Sequence, residues 1–89
     1  MNTYIINYDL NSPGQNYETL HNAIKGFGTW WHNLDSTWII KSDNSAVQIR
    51  DYLSNYIDSN DSLLVALLSG VAAWTGFNEK GSNWLKNNL

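Results

Sequence analysis

The sequence predicts one small α+β domain of β-α-β-β-α-β order over residues 1–89, on three observations. Runs rich in β-branched and aromatic residues fall at 3–10, 30–34, 37–41 and 62–69. Between them lie two stretches whose apolar residues recur at helical spacing. Turn chemistry separates one from the next.

Residues 3–10, Thr-Tyr-Ile-Ile-Asn-Tyr-Asp-Leu, place Tyr4, Ile6 and Tyr8 on one face and Ile5, Asn7 and Asp9 on the other. Apolar residues on both faces near the start predict an interior strand that turns polar at its C-terminal end. Asn11-Ser12-Pro13-Gly14-Gln15-Asn16 has loop composition. From Tyr17 the period changes. Tyr17, Leu20, Ala23, Ile24 and Phe27 follow a helix that Asn16 can cap and Gly26 or Gly28 can end. Trp30–Leu34 and Thr37–Lys41 then read as two strands joined by the short link Asp35-Ser36, a hairpin. Trp31 and Leu34 do not share a strict alternation, so at least one of Trp30 and Trp31 is expected to be partly exposed.

Ser45 and Gln48 stand three apart, the spacing of a capping box, ahead of a stripe of Ala46, Ile49, Leu53, Tyr56 and Ile57. After the polar turn 58–61, the run Leu-Leu-Val-Ala-Leu-Leu within 62–69 predicts a fourth strand, which Gly70 breaks. Residues 71–77 fit either state. Ser82 is positioned to cap a last short helix carrying Trp84, Leu85 and Leu89. This order gives the ferredoxin-like arrangement, a four-stranded antiparallel sheet with two helices on one face plus a C-terminal tail. The second face then needs a cover, from the tail or from another copy. A chain of 89 residues buries only about 60–65% of its unfolded surface, so a homodimer is the expected assembly.

Composition removes several function classes. There is no cysteine, hence no disulfide, thiolate nucleophile or Cys-based zinc site. The start Met1-Asn2-Thr3-Tyr4 lacks a basic n-region, and no apolar stretch approaches bilayer length, so a cytoplasmic protein without a membrane partner is expected. The five basic residues, Lys25, Lys41, Arg50, Lys80 and Lys86, are scattered, and the net charge is −3. That weighs against a broad phosphate-binding surface. Gly26-Phe27-Gly28 closes a helix and opens none, so it is no phosphate loop. Ser36 and Thr37 have no base in sequence reach to activate them.

An Asp ending the first strand, in Tyr4-Ile5-Ile6-Asn7-Tyr8-Asp9-Leu10, resembles the small dimeric CRISPR-associated adaptation family, whose fold the VapD-type toxins share. The stretches Tyr8–Tyr17, Trp30-Trp31-His32 and Ser36-Thr37-Trp38 resemble a group of short bacterial proteins labelled SinR-like, over nearly the whole chain. The resemblance implies a homodimer in which Asp9 meets its twin, holds Mg²⁺ or Mn²⁺ and serves phosphodiester hydrolysis. Mg²⁺ binds through one or two carboxylates and retains waters, and a metal-bound water can attack phosphorus. Many members of that family act as spacers without activity, and this chain lacks their basic groove residues.

Two readings therefore stand. One is a CRISPR-associated-endonuclease-like homodimer acting on nucleic acid, with Asp9 as metal ligand and catalytic residue, or an inactive relative. The other is a non-enzymatic binding module for a protein partner, a small ligand or a nucleotide; a defence or counter-defence setting suits either. Asn7 and Asn11 alternate with Asp9 and are candidates to orient a ligand, against the plainer role of serving the turn. Trp30, Trp31 and Trp38 are candidates for a stacking platform, against core or interface packing. Histidine as a residue type suits proton transfer near neutral pH, so His32 is a candidate acid/base, against a surface or interface role. His21 is expected to face solvent.

Overall fold

β1 (Asn2–Asp9), apolar on both faces near its start, takes an inner place in the sheet. In this computed structural model, which describes residues 1–11 and 17–89, the four strands are β1, β2 (Trp30–Leu34), β3 (Thr37–Ser42) and β4 (Ser62–Leu67). They lie in the order β2-β3-β1-β4, with every neighbouring pair antiparallel. Ile6 sits opposite Trp38 on one side and Val65 on the other. This is the four-stranded α+β sheet that the element order predicts.

Tyr4, Ile6, Tyr8, Trp38 and Ile40 form one face of the sheet and are buried. Against them pack Leu20, Ala23 and Ile24 of α1 (Glu18–Lys25) and Ile49 and Leu53 of α2 (Ala46–Leu53). Each fully buried Ile or Leu there contributes about 1.5–3 kcal/mol relative to exposure. Ser45 and Gln48 form the predicted reciprocal box: Gln48 N–H donates to Ser45 Oγ at 3.1 Å, and Ser45 N–H donates to Gln48 Oε1 at 2.8 Å. Tyr56 and Ile57 follow in a 3-10 turn and its exit, still packed on the same core. The Asn16 cap predicted for α1 lies outside the described residues; Tyr17, which precedes the helix, makes no side-chain capping bond. Gly28, at φ +95°, makes the turn into β2, a conformation that a Cβ would strain.

The tail covers part of the second face. Ile5, Trp31 and Ile39 pack against Leu68, Trp74, Phe77, Trp84, Leu85 and Leu89, the last three on or beside α3 (Glu79–Asn88). Phe77 meets Trp31 edge-on at 4.9 Å between ring centroids. Two hydrogen bonds fasten this layer: Trp31 Nε1–H donates to Gly81 O at 3.1 Å, and Thr3 Oγ1 donates to Asn88 O at 3.2 Å.

Two boundaries differ from expectation. α3 starts a turn earlier than a Ser82 cap implies, because Asn78 has extended backbone and its Oδ1 accepts the Gly81 N–H at 2.7 Å. β4 ends at Leu67, although Leu68 N–H still donates to Thr3 O at 2.9 Å, and Gly70 at φ +92° then turns the chain. No helix among the described residues is long and apolar enough to cross a membrane.

Candidate functional site

Asp9 closes β1 opposite Ser62 and is exposed. Its carboxylate makes no hydrogen bond or ion pair with the described residues. Asn7 lies two residues back on the same face, where its Oδ1 accepts the Thr37 hydroxyl at 3.3 Å. Asn11 does not join them. It leaves the strand and locks onto the turn before β4: its N–H donates to Asp61 Oδ1 at 2.7 Å, and its side-chain amide donates to Asn60 O at 3.0 Å. The alternation that put Asn7, Asp9 and Asn11 in one row ends with the strand. Among the described residues no three His, Asp or Glu side chains gather where one metal ion can bind them. In a single chain, Asp9 is thus a lone carboxylate among the described residues.

Asp61, which the sequence marked only as part of a polar turn, is the carboxylate that organises this end of the sheet. It accepts the N–H groups of Asn11 and Asp58, both at 2.7 Å, and the Tyr17 hydroxyl at 2.9 Å. Partial desolvation pushes its carboxyl up, but these three donors together outweigh that and hold it below the ordinary carboxylate range.

The aromatic candidates divide between core and surface. Trp38 is 1% exposed and belongs to the helix-side core, and Trp31 anchors the tail layer. Trp30 and His32 remain accessible on the rim of β2, an outer strand. His32 lies flat on Trp38, ring centroids 3.7 Å apart and planes within 11°. Its Nε2 is 3.2 Å from the Asp35 carbonyl, which can only accept, so that nitrogen carries the hydrogen and Nδ1 is left as an acceptor in the neutral ring. Lys25 places its ammonium 5.3 Å from the centroid of Trp30, within cation–π range.

His21 departs from its expected solvent position. It stands between Tyr8, Trp38 and His32, with ring centroids 6.1, 5.7 and 6.2 Å away. Leu20 beside it enters the core, and the same helix turn swings His21 over the sheet. Nothing in the residue spacing marks this, because it depends on where α1 crosses β1 and β3.

Beside Trp30, β2 and α3 enclose a cleft of about 380 Å³. Trp30, His32 and Asn33 line it from the strand, Trp84, Lys80 and Asn78 from the helix, with Trp31 and Gly81 between them. Asn78 is committed as the helix cap and Trp31 to Gly81. The Asn33 amide and the Lys80 ammonium make no hydrogen bond or ion pair with the described residues. A second groove of about 390 Å³, between α1 and α2, has the Asn44 side-chain amide open among the described residues but carries no charged side chain, and its Gln48 oxygen is already used in the capping box. The β2–α3 cleft is therefore the better-equipped of the two: aromatic surface, an uncommitted amide and an uncommitted cation in one place. Sequence reading found its strand half; Asn33, Lys80 and Trp84 escaped it because they converge only once the tail folds across the sheet. No family model matches the sequence, and no solved structure matches the chain.

Proposed function

We propose that the protein is a non-enzymatic binding module whose β2–α3 cleft takes a flat, hydrogen-bonding ligand of the nucleobase type, carried on a small nucleotide. One observation carries the reading: Trp84, Asn33 and Lys80 line a single open cleft with Trp30 at its rim, and neither polar group is bonded among the described residues. An aromatic face contributes about 1–3 kcal/mol per stacked base without regard to its identity. An amide supplies both a donor and an acceptor for a base edge, and an ammonium suits the attached phosphate. The scattered basic residues and the net charge of −3 fit a small ligand better than a long polyanion.

Quenching of tryptophan fluorescence by mononucleotides tests this, with inorganic phosphate as the control. Saturable quenching that is lost in Trp30→Ala and weakened in Lys80→Ala supports the cleft. Equal quenching in the wild type and both variants removes it.

A second reading rests on Asp9. Its uncommitted carboxylate at the end of β1 suits a metal-dependent nuclease of the CRISPR-associated-endonuclease-like kind, or an inactive relative, provided a homodimer brings a second Asp9 within reach of the same Mg²⁺ or Mn²⁺. Nuclease assay with either cation, wild type against Asp9→Ala, decides it. Equal activity in the two proteins, or none in either, ends that reading.

A further inference from the structure

β4 is an outer strand of the sheet, and no other strand among the described residues pairs with its free side. From Ser62 to Ala73 the chain holds no charged residue and no proline, and the β1–β4 register runs without a bulge. Those are the usual devices that keep an edge from pairing with another chain. The opposite edge differs: β2 has an irregular register between Trp31 and Leu34, and carries His32 and Asn33. Leu64 and Leu67 are 59% and 60% exposed, and Val71 is 92% exposed.

The hydrogen-bond phase of β4 is fixed. Leu68 N–H donates to Thr3 O, so by alternation the even-numbered residues 62, 64 and 66 turn their backbone groups toward β1. Leu63, Val65 and Leu67 turn theirs outward.

We propose that β4 pairs antiparallel with β4 of a second copy, Val65 facing Val65 across a two-fold axis, to make one continuous eight-stranded sheet. This register sets Leu63 against Leu67 and Leu64 against Ala66. It joins all three outward-facing residues of each strand in hydrogen-bonded pairs, and every pair keeps both partners on one face of the sheet. The exposed Leu64 and Leu67 each gain an apolar neighbour. Asp61 falls opposite Ser69, so no two carboxylates are opposed. The strand is thus complementary to itself, which is why a second copy fits it, and the irregular β2 edges stop growth at the dimer.

The inference stands independently of the cleft and bears on Asp9. Asp9 pairs with Ser62, three residues from the proposed axis. With strands about 4.8 Å apart and a rise of about 3.4 Å per residue, the two Asp9 carboxylates of such a dimer lie roughly 25 Å apart. Two ligands of one Mg²⁺ lie about 4 Å apart. This dimer and a shared Asp9 metal site exclude one another.

Sedimentation over a dilution series, with cross-linking of single-cysteine variants, tests the register. The wild type is expected to be a dimer, and Leu67→Lys, at a position exposed in the protomer, to raise its dissociation constant about tenfold or more with an unchanged circular dichroism spectrum. The protein has no cysteine of its own. Leu64→Cys mixed with Ala66→Cys should therefore give a disulfide-linked heterodimer under mild oxidation, and either variant alone should give far less. A monomer at every concentration overturns the proposal, as does a dimer indifferent to Leu67→Lys. Where Leu67→Lys fails to fold, absence of the mixed disulfide overturns it alone. Nucleotide binding by the cleft has its own readout, so either idea can fall without the other.

Discussion

His21 Nε2 lies 3.1 Å from the hydroxyl of Tyr8, joining α1 to the middle strand of the sheet. Trp38 Nε1–H donates to the same oxygen at 3.0 Å. The hydrogen of Tyr8 is then directed to His21, whose neutral ring accepts it at Nε2 and carries its own hydrogen on Nδ1. Burial first, then the Trp38 donor acting against it and Asp35 acting with it, leaves the Tyr8 hydroxyl harder to ionise than usual. Burial, His32 and Lys25 hold His21 below its ordinary 6.5, against the smaller pull of Glu18.

That depression sets a pH dependence. Above 6.5 His21 is neutral in folded and unfolded chains alike, and its contribution is fully present. As pH falls below 6.5 the unfolded chain takes the proton first, so stability declines until the folded ring also titrates. The urea midpoint should therefore drop between about pH 7 and pH 5. His21→Gln, which keeps an acceptor for Tyr8 and cannot titrate, should flatten that slope. An equal slope in both proteins would assign the dependence elsewhere.

Trp31 and Gly81 hold the tail to the sheet. A Cβ added at Gly81 would lie 2.9 Å from Asn33 Nδ2, the end of a side chain that can turn aside, and 3.1 Å from Asn78 Oδ1, the helix cap, which moves only by giving up its bond. Gly81→Ala should destabilise by about 1–3 kcal/mol despite the better helix propensity of alanine. Trp31→Phe keeps most of the ring but removes the Nε1–H that donates to the Gly81 carbonyl, for about 0.5–1.5 kcal/mol. The two changes act on one contact, so in denaturant titrations the double variant should lose clearly less than the sum.

The parts of the fold legible in the sequence are those set by local pattern. The two-faced apolar run of β1, the Ser45–Gln48 spacing and the change of period at Tyr17 each declare an element without reference to any other. Position across the sheet is not local. His21, Asn33, Lys80 and Trp84 acquire their neighbours only when α1 crosses β1 and the tail crosses β2. Asn78 and Ser82 are equally good caps by residue type, one turn apart, and only the fold selects Asn78. The break in alternation between Trp31 and Leu34 predicts a partly exposed tryptophan, and Trp30 indeed stays at the rim while Trp31 goes under the tail.

Ser45→Ala removes the oxygen that receives the Gln48 N–H and leaves the box half made. The expected cost is about 1 kcal/mol. Gln48→Ala takes away the other half, the acceptor for the Ser45 N–H. Because both bonds serve one helix end, chemical denaturation of the double variant should show a loss smaller than the two single losses combined.

Asp9 and Asp61 bracket the same end of the sheet with opposite burdens, and neutralising each separates a free carboxylate from a structural one. Asp61→Asn keeps one oxygen where two N–H groups and the Tyr17 hydroxyl converge, and sets an amide where the second carboxylate oxygen was. It should lower the unfolding midpoint at neutral pH. Because the folded carboxyl lies below its ordinary 3.8, the wild type carries this contribution above 3.8 and loses it as pH falls further, through the folded value. The gap between wild type and Asp61→Asn should therefore close in acid. Asp9→Asn, whose carboxylate holds no bond among the described residues, should match the wild type in midpoint at neutral pH. A midpoint shift in Asp9→Asn as large as that in Asp61→Asn would show that Asp9 is a structural carboxylate and take away the ground for reading it as a ligand.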